Sequence, residues 1–147
     1  MADNESVGTS RCEMATGRIL VVDDNPAYLR LLEEAIAGVV QPVTVHPVND
    51  GATAVNSLIQ RPGDNDSADL VFLDWNLPQM TGGEVLEAIR NDGELHSIPV
   101  VVFSNSDDFE TVLEAYESGA NAYVYKPDDF DDIIGKVRGI TGFWLDV

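Results

Sequence analysis

The chain has 147 residues and a mass of 16.0 kDa, which suits one compact domain. Hydrophobic residues make up 44%, enough to bury a core, while 26 acidic against 8 basic residues give a net charge of −18. That field repels nucleic-acid phosphates and anionic lipid headgroups, so neither is an expected partner. No apolar run approaches the ~18 residues of a membrane span, and the N-terminus lacks the basic-then-apolar order of a secretory signal. The single cysteine, Cys12, excludes an internal disulfide and a cysteine-based zinc site, and His46 and His96 are too few for a histidine-rich metal centre. A cytoplasmic protein is expected.

Residues 1–17 are small and polar without periodicity and read as a disordered lead-in. From there, short apolar runs alternate with amphipathic segments. A buried strand over 19–22 precedes a helix marked by Tyr28, Leu29, Leu32, Ile36 and Val39, with Pro26 suited to its first turn. A second strand, 43–48, contains Pro47, which predicts an edge position. Ala52, Val55, Leu58 and Ile59 mark a second helix ending at Arg61-Pro62-Gly63, and an acidic loop follows. The remaining units pair a strand over 70–73 with a helix carrying Val85, Leu86 and Ile89, and a strand over 100–103 with a helix carrying Phe109, Val112, Leu113 and Tyr116. The last unit pairs a strand over 122–125 with a helix carrying Phe130, Ile133, Ile134 and Val137. Five βα units with near-continuous apolar strands predict a doubly wound α/β domain over 18–147. Its parallel sheet should be covered on both faces and have the strand order 2-1-3-4-5. The fifth helix runs to the C-terminus, so no output domain is expected.

Ligands of such sheets sit beyond the carboxyl ends of the strands. Asp23 and Asp24 follow the first strand, Asp74 the third, Ser104 the fourth and Lys126 the fifth. An Asp-Asp pair alone says little: the chain has four, against about 1.7 for random order. The pair at 23–24 differs in abutting a buried strand, where unpaired carboxylates repel and lose hydration unless a cation joins them. One of only two lysines, Lys126, falls beside this acidic edge. Three carboxylates and an ammonium can together hold Mg²⁺ and an anion. A carboxylate is also a competent nucleophile toward phosphorus. Neither GxxxxGK[ST] nor GxGxxG occurs, so no nucleotide site is expected.

These residues resemble the receiver domain of two-component response regulators. The match runs through Ile19-Leu20-Val21-Val22-Asp23-Asp24-Asn25 and Leu73-Asp74-Trp75-Asn76-Leu77-Pro78 with Gly82. It continues through Pro99-Val100-Val101-Val102-Phe103-Ser104 and closes on Gly119-Ala120-Asn121-Ala122-Tyr123-Val124-Tyr125-Lys126-Pro127. The resemblance covers residue 18 to the C-terminus and implies a flavodoxin-like receiver fold. It implies that Asp74 is the phosphoacceptor for a sensor histidine kinase or phosphotransfer protein. It further implies that Asp24, Asp74 and the main-chain carbonyl of Asn76 ligate Mg²⁺ (or Mn²⁺), with Asp23 acting through water. Lys126 and Ser104 would bind the phosphoryl group, Ser104 and Tyr123 would form the switch, and the Lys126–Pro127 bond would be cis. Asn76, Asn105 and Ser106 occupy positions that tune the reaction; Asn105 departs from the small residue typical of its position. The Ser104-Asn105-Ser106 stretch and the acidic loop before the third strand are similar to stand-alone, phytochrome-associated receivers. A downstream protein, or a second copy, would dock on the face made by the fourth helix, fifth strand and fifth helix.

Two other functions share parts of this pattern. A degenerate receiver acting only as a docking module keeps its fold but loses phosphorylation; the intact acidic and basic residues count against it. A haloacid-dehalogenase-like phosphatase needs a second carboxylate two residues after its nucleophile, where this chain has Asn76. The acidity itself has two readings, an ordinary acidic domain or a halophilic protein adapted to molar salt. The scarcity of lysine favours the second. At ~1 M salt the Debye length is about 3 Å, and self-repulsion is nearly screened. On the halophilic reading the unfolding midpoint rises as KCl goes from ~0.1 M to molar levels, a titration that circular dichroism can follow. A flat or falling midpoint removes that reading.

Overall fold

The computed structural model describes residues 17–38, 43–59 and 68–145. Its elements alternate throughout: β1 (Gly17–Val22), α1 (Pro26–Ala37), β2 (Val43–Val48), α2 (Gly51–Ile59), β3 (Leu70–Asp74), α3 (Gly82–Asn91), β4 (Val100–Ser104), α4 (Phe109–Glu117), β5 (Ala122–Tyr125) and α5 (Phe130–Trp144). The strands form one parallel sheet in the order β2-β1-β3-β4-β5, as expected from the alternation of strands and helices. The expected lead-in lies outside the described residues except for Gly17, the first residue of β1. Val39, the end of the second helix at 61–63 and most of the acidic loop also lie outside them.

The strands sort their side chains by alternation. Leu20, Val22, Val71, Leu73, Val100 and Val102 face Ala54 and Leu58 of α2, Val85, Leu86 and Ile89 of α3, and Ala115 of α4. Ile19, Val21, Leu70, Phe72, Val101 and Phe103 face Leu32, Ala35 and Ile36 of α1 and Ile133 and Val137 of α5. The rings of Phe72 and Phe103 meet at 5.1 Å on the second face. β3 and β4 are buried along their whole length, including the polar residues that end them, Asp74 and Ser104. Two packed faces therefore hold the central strands, and their carboxyl ends carry the chemistry.

Local signals place the helices. Asn25 caps α1 by accepting from the N–H groups of Ala27 and Tyr28, and Pro26 fills the first turn. Thr81 and Glu84 form a reciprocal capping box on α3. β2 is an edge strand, as Pro47 predicts. The Val48 carbonyl accepts from Asp23 N–H, so Val48 faces β1 and the alternation turns the Pro47 backbone outward, where a missing N–H breaks no ladder bond.

The fourth helix departs from its sequence pattern. Of its apolar residues only Ala115 is buried; Phe109 is 74% exposed, and Leu113 and Tyr116 are largely open. The cause is the position of α4 beside β5, a four-residue edge strand that offers little surface to cover. The far end of α4 is anchored by Arg90. Its guanidinium donates to the Gly119 carbonyl from Nε (3.0 Å) and Nη2 (2.7 Å), to the Ile98 and His96 carbonyls from Nη1, and to Asn121 Oδ1. Gly119 has φ +111°, and a Cβ there would lie 2.9 Å from Arg90 Nε, so glycine is required on both counts.

α3 starts unusually close to β3. A Cβ on Gly82 would come within 2.8 Å of the Asp74 carbonyl oxygen and of Trp75 Cα, both backbone atoms that cannot turn aside. Gly82→Ala is expected to lower stability by about 1–3 kcal/mol, the range for overpacking a tight site, as measured by urea unfolding.

Candidate functional site

The residues that end the strands meet at the carboxyl edge of the sheet. Asp23 follows β1, is 1% exposed, and turns one oxygen, Oδ1, back to the Asn25 N–H at 2.9 Å. Asp74 ends β3, is 4% exposed, and its Oδ1 accepts from the Asn76 N–H at 3.1 Å. Each aspartate thus closes a tight turn of its own backbone, which fixes the direction of its carboxylate. Lys126 follows β5 and is held there by its N–H, which donates to the Ser104 carbonyl at 2.7 Å. Its ammonium lies 2.9 Å from Asp23 Oδ2 and 3.4 Å from Asp74 Oδ1. Among the described residues no hydrogen bond reaches Asp74 Oδ2, which leaves this oxygen with its lone pairs free.

The charges do not balance. Carboxylate oxygens of Asp23, Asp24 and Asp74 lie within 4.8 Å of one another, with Asp24 exposed at the rim. One ammonium neutralises one of three negative charges. Burial and the neighbouring charge of Asp23 push the Asp74 carboxyl up to about 6, against the opposing pull of Lys126 and the Asn76 N–H. An all-oxygen donor set with an uncompensated charge in a largely buried setting suits a hard divalent cation. Asp24 and Asp74 can provide oxygens directly. Asp23, engaged with Lys126 and Asn25, is better placed to act through water.

Ser104, fully buried at the end of β4, donates its hydroxyl to Asn76 Oδ1 at 3.3 Å and accepts from Ser106 N–H at 3.1 Å. The Tyr123 hydroxyl donates to the Ser106 carbonyl at 2.5 Å. Ser104 and Tyr123 are therefore linked through the backbone of Ser106 rather than directly. The Ser106 side chain accepts from Asp108 N–H at 3.1 Å, which ties the loop to the start of α4. Asn105 is exposed, and its side chain makes no hydrogen bond among the described residues.

One expectation is overturned. No peptide bond among the described residues is cis, so Lys126–Pro127 is trans. Trans is the lower-energy state of an X–Pro bond, and the turn after β5 closes in that state with the Lys126 N–H still bonded to Ser104.

One residue that faces the site was overlooked in the sequence. Tyr28 of α1 places its ring over the Lys126 ammonium, 4.7 Å from ring centroid to nitrogen. Its periodicity marks it as a helix-face apolar residue, which hides a second role. The available signal was position: it lies one helical turn beyond the acidic pair, on the helix that starts at the strand ends.

The raised Asp74 carboxyl has a stability consequence whose sign is fixed. The folded state holds the Asp74 proton more tightly than the unfolded chain, so this site's contribution is intact below about pH 4. It is lost as pH rises through about 6. Without divalent cations, Asp74→Asn is expected to become more stable than wild type across that interval. The gap should reach on the order of 1–3 kcal/mol and stay level above pH 7, as followed by chemical unfolding at a series of pH values.

Comparison with known proteins agrees with this geometry. The sequence matches the family described as the response regulator receiver domain over residues 19–138. It is 34% identical to response regulator Rcp1 of Synechocystis sp., covering 87% of this chain and 88% of that protein. It is 33% identical to the probable methanogenesis regulatory protein FilR2 of Methanothrix harundinacea, covering 86% and 83%. Among solved structures, the phosphorylated cyanobacterial phytochrome response regulator RcpA superposes with a TM-score of 0.81 at 37% identity, covering 89% of this chain and 95% of that one. The Mn²⁺-bound form of Rcp1 superposes with a TM-score of 0.77 at 34% identity, covering 89% and 96%. Fold, strand-end chemistry and relatives agree, and the chain belongs to the response regulator receiver family, the phosphorylation-dependent switches of two-component signalling.

Proposed function

We propose that Asp74 accepts the phosphoryl group, from a sensor histidine kinase or a phosphotransfer protein, with Mg²⁺ or Mn²⁺ as cofactor. The observation that carries this reading is the division of labour at Asp74. Lys126 and the Asn76 N–H engage Oδ1, and Oδ2 is free to attack. A new bond forms from Oδ2 to phosphorus, the bond from phosphorus to the donor breaks, and the leaving group departs with its electron pair. Asp24, Asp74 and the main-chain carbonyl of Asn76 would hold the cation, with Asp23 acting through water. Bound there, it would neutralise charge on the phosphoryl oxygens. Lys126 supplies the second positive charge and orients the group. The domain catalyses only its own phosphorylation and dephosphorylation, and a cytoplasmic setting suits a kinase-fed switch.

The same hydrogen bonds supply the readout. To reach a phosphoryl oxygen, Ser104 gives up Asn76 Oδ1, and its bond to the Ser106 N–H is strained or released. The Ser106 carbonyl holds Tyr123, so movement of this loop changes the environment of the Tyr123 ring. The response is displayed on α4, β5 and α5. Phe109, Leu113, Tyr116 and Tyr125 stand exposed there for a downstream protein or a second copy of the chain. Asn76, Asn105 and Ser106 border the phosphoryl position and tune the lifetime of the product.

Incubation with Mg²⁺ and acetyl phosphate is expected to add one acid-labile phosphate, detected by intact-mass measurement and abolished by Asp74→Asn. Beryllofluoride with Mg²⁺ should shift the Tyr123 ring resonances in wild type and much less in Ser104→Ala. Absence of acid-labile phosphate with both the small donor and a phosphorylated kinase would overturn the assignment.

A further inference from the structure

We propose that Tyr28 is a positioning residue for phosphoryl transfer: its ring face holds the Lys126 ammonium at Asp74 and closes the α1 side of the site to water. The inference rests on the reading of Asp74 as phosphoacceptor and Lys126 as its cationic partner.

Lysine is a mobile carrier of charge. Its four-carbon stem lets the ammonium leave a partly buried site for water whenever a path is open. At this edge Asp23 and Asp74 occupy one side of the Lys126 ammonium, at 2.9 and 3.4 Å. The Tyr28 ring occupies another, 4.7 Å away, where the negative face of an aromatic ring attracts a cation. The Lys126 side chain is 8% exposed as a result.

Tyr28 is itself fixed at two points. It lies in the first turn of α1, which Asn25 caps, and its hydroxyl donates to the Pro127 carbonyl at 3.4 Å. Pro127 follows Lys126 directly, so one tyrosine contacts both the ammonium and the backbone that carries it. Burial raises the pKa of the phenol, and the charges of Asp23, Asp128 and Asp74 raise it further. The ring therefore remains a neutral phenol and a hydrogen-bond donor throughout the working pH range. In the transfer step the ammonium must shift from Asp23 toward a phosphoryl oxygen. The ring bounds that movement and keeps the ammonium from swinging out past α1.

The test compares Tyr28→Phe, which keeps the ring face, with Tyr28→Leu, which removes it. Phosphorylation by acetyl phosphate and Mg²⁺ is followed by quenching of Trp75, next to Asp74. Tyr28→Leu is expected to phosphorylate roughly tenfold more slowly, within the range of a partly desolvated cation–π contact, with an Mg²⁺ dissociation constant no weaker than wild type. Tyr28→Phe should stay within about twofold of the wild-type rate, as expected if the ring face and not the hydroxyl carries the effect. In the unphosphorylated protein, the Cε protons of Lys126 should show an upfield ring-current shift by NMR, kept in Tyr28→Phe and lost in Tyr28→Leu. A wild-type rate in Tyr28→Leu, an equally slow Tyr28→Phe, or no ring-current shift in wild type overturns the proposal. If wild type takes up no phosphate, the assignment of Asp74 fails instead, and the ring-current shift decides the Tyr28–Lys126 contact by itself.

Discussion

A single ammonium shared between two buried carboxylates organises this molecule. Lys126 bridges Asp23 and Asp74 across the carboxyl edge of the sheet, bringing the end of β5 to the ends of β1 and β3. Without it, two negative charges would face each other in a setting that disfavours even one. With it, one charge remains in excess, counting only the buried pair, and more once Asp24 at the rim is included. The site is therefore built unfinished, and what completes it is positive charge from outside. Acidity at the site is thus a design for capture, whereas among the described residues no other acids are grouped in this way.

The layers exist to hold that arrangement still. Valine, leucine and phenylalanine fill both faces of β3 and β4, so the residues that end these strands have fixed positions. Gly82 lets α3 begin in contact with the backbone of Asp74 and Trp75. The turn after β3 is held by the Trp75 N–H, which donates to the Phe103 carbonyl, and by the Asn76 N–H on Asp74. Rigid support at Asp74 contrasts with the loop after β4. There, Ser104, Ser106 and Tyr123 are linked by a chain of hydrogen bonds through the Ser106 backbone.

The fold was legible in the sequence because its strongest signals are local. Buried parallel strands read as unbroken apolar runs, and Pro26 marks the first turn of α1, where the structure places it. The site residues were legible for a related reason: strand ends converge by topology, so Asp23, Asp74, Ser104 and Lys126 could be assembled from strand order alone. The failures have tertiary causes. Periodicity in α4 marks an apolar stripe but not whether a neighbour is wide enough to cover it, and β5 is not. The resemblance to the receiver family implied a cis Lys126–Pro127 bond, yet isomer choice belongs to the closed turn of this chain. Tyr28 looked like one more apolar position because a cation–π contact leaves no spacing signature along the chain.

The Arg90 anchor has a mechanical consequence. It grips the carbonyl of Gly119, just beyond the last turn of α4, with two hydrogen bonds, and the only buried residue of the helix, Ala115, lies near the same end. The opposite end begins at Asp108, which makes no side-chain cap and is tied to the loop by one bond to Ser106. α4 is therefore held firmly at the end remote from Asp74 and lightly at the end beside Ser106. Any shift of the Ser106 loop would act on the lightly held end, which carries Phe109, the most exposed aromatic residue on that helix.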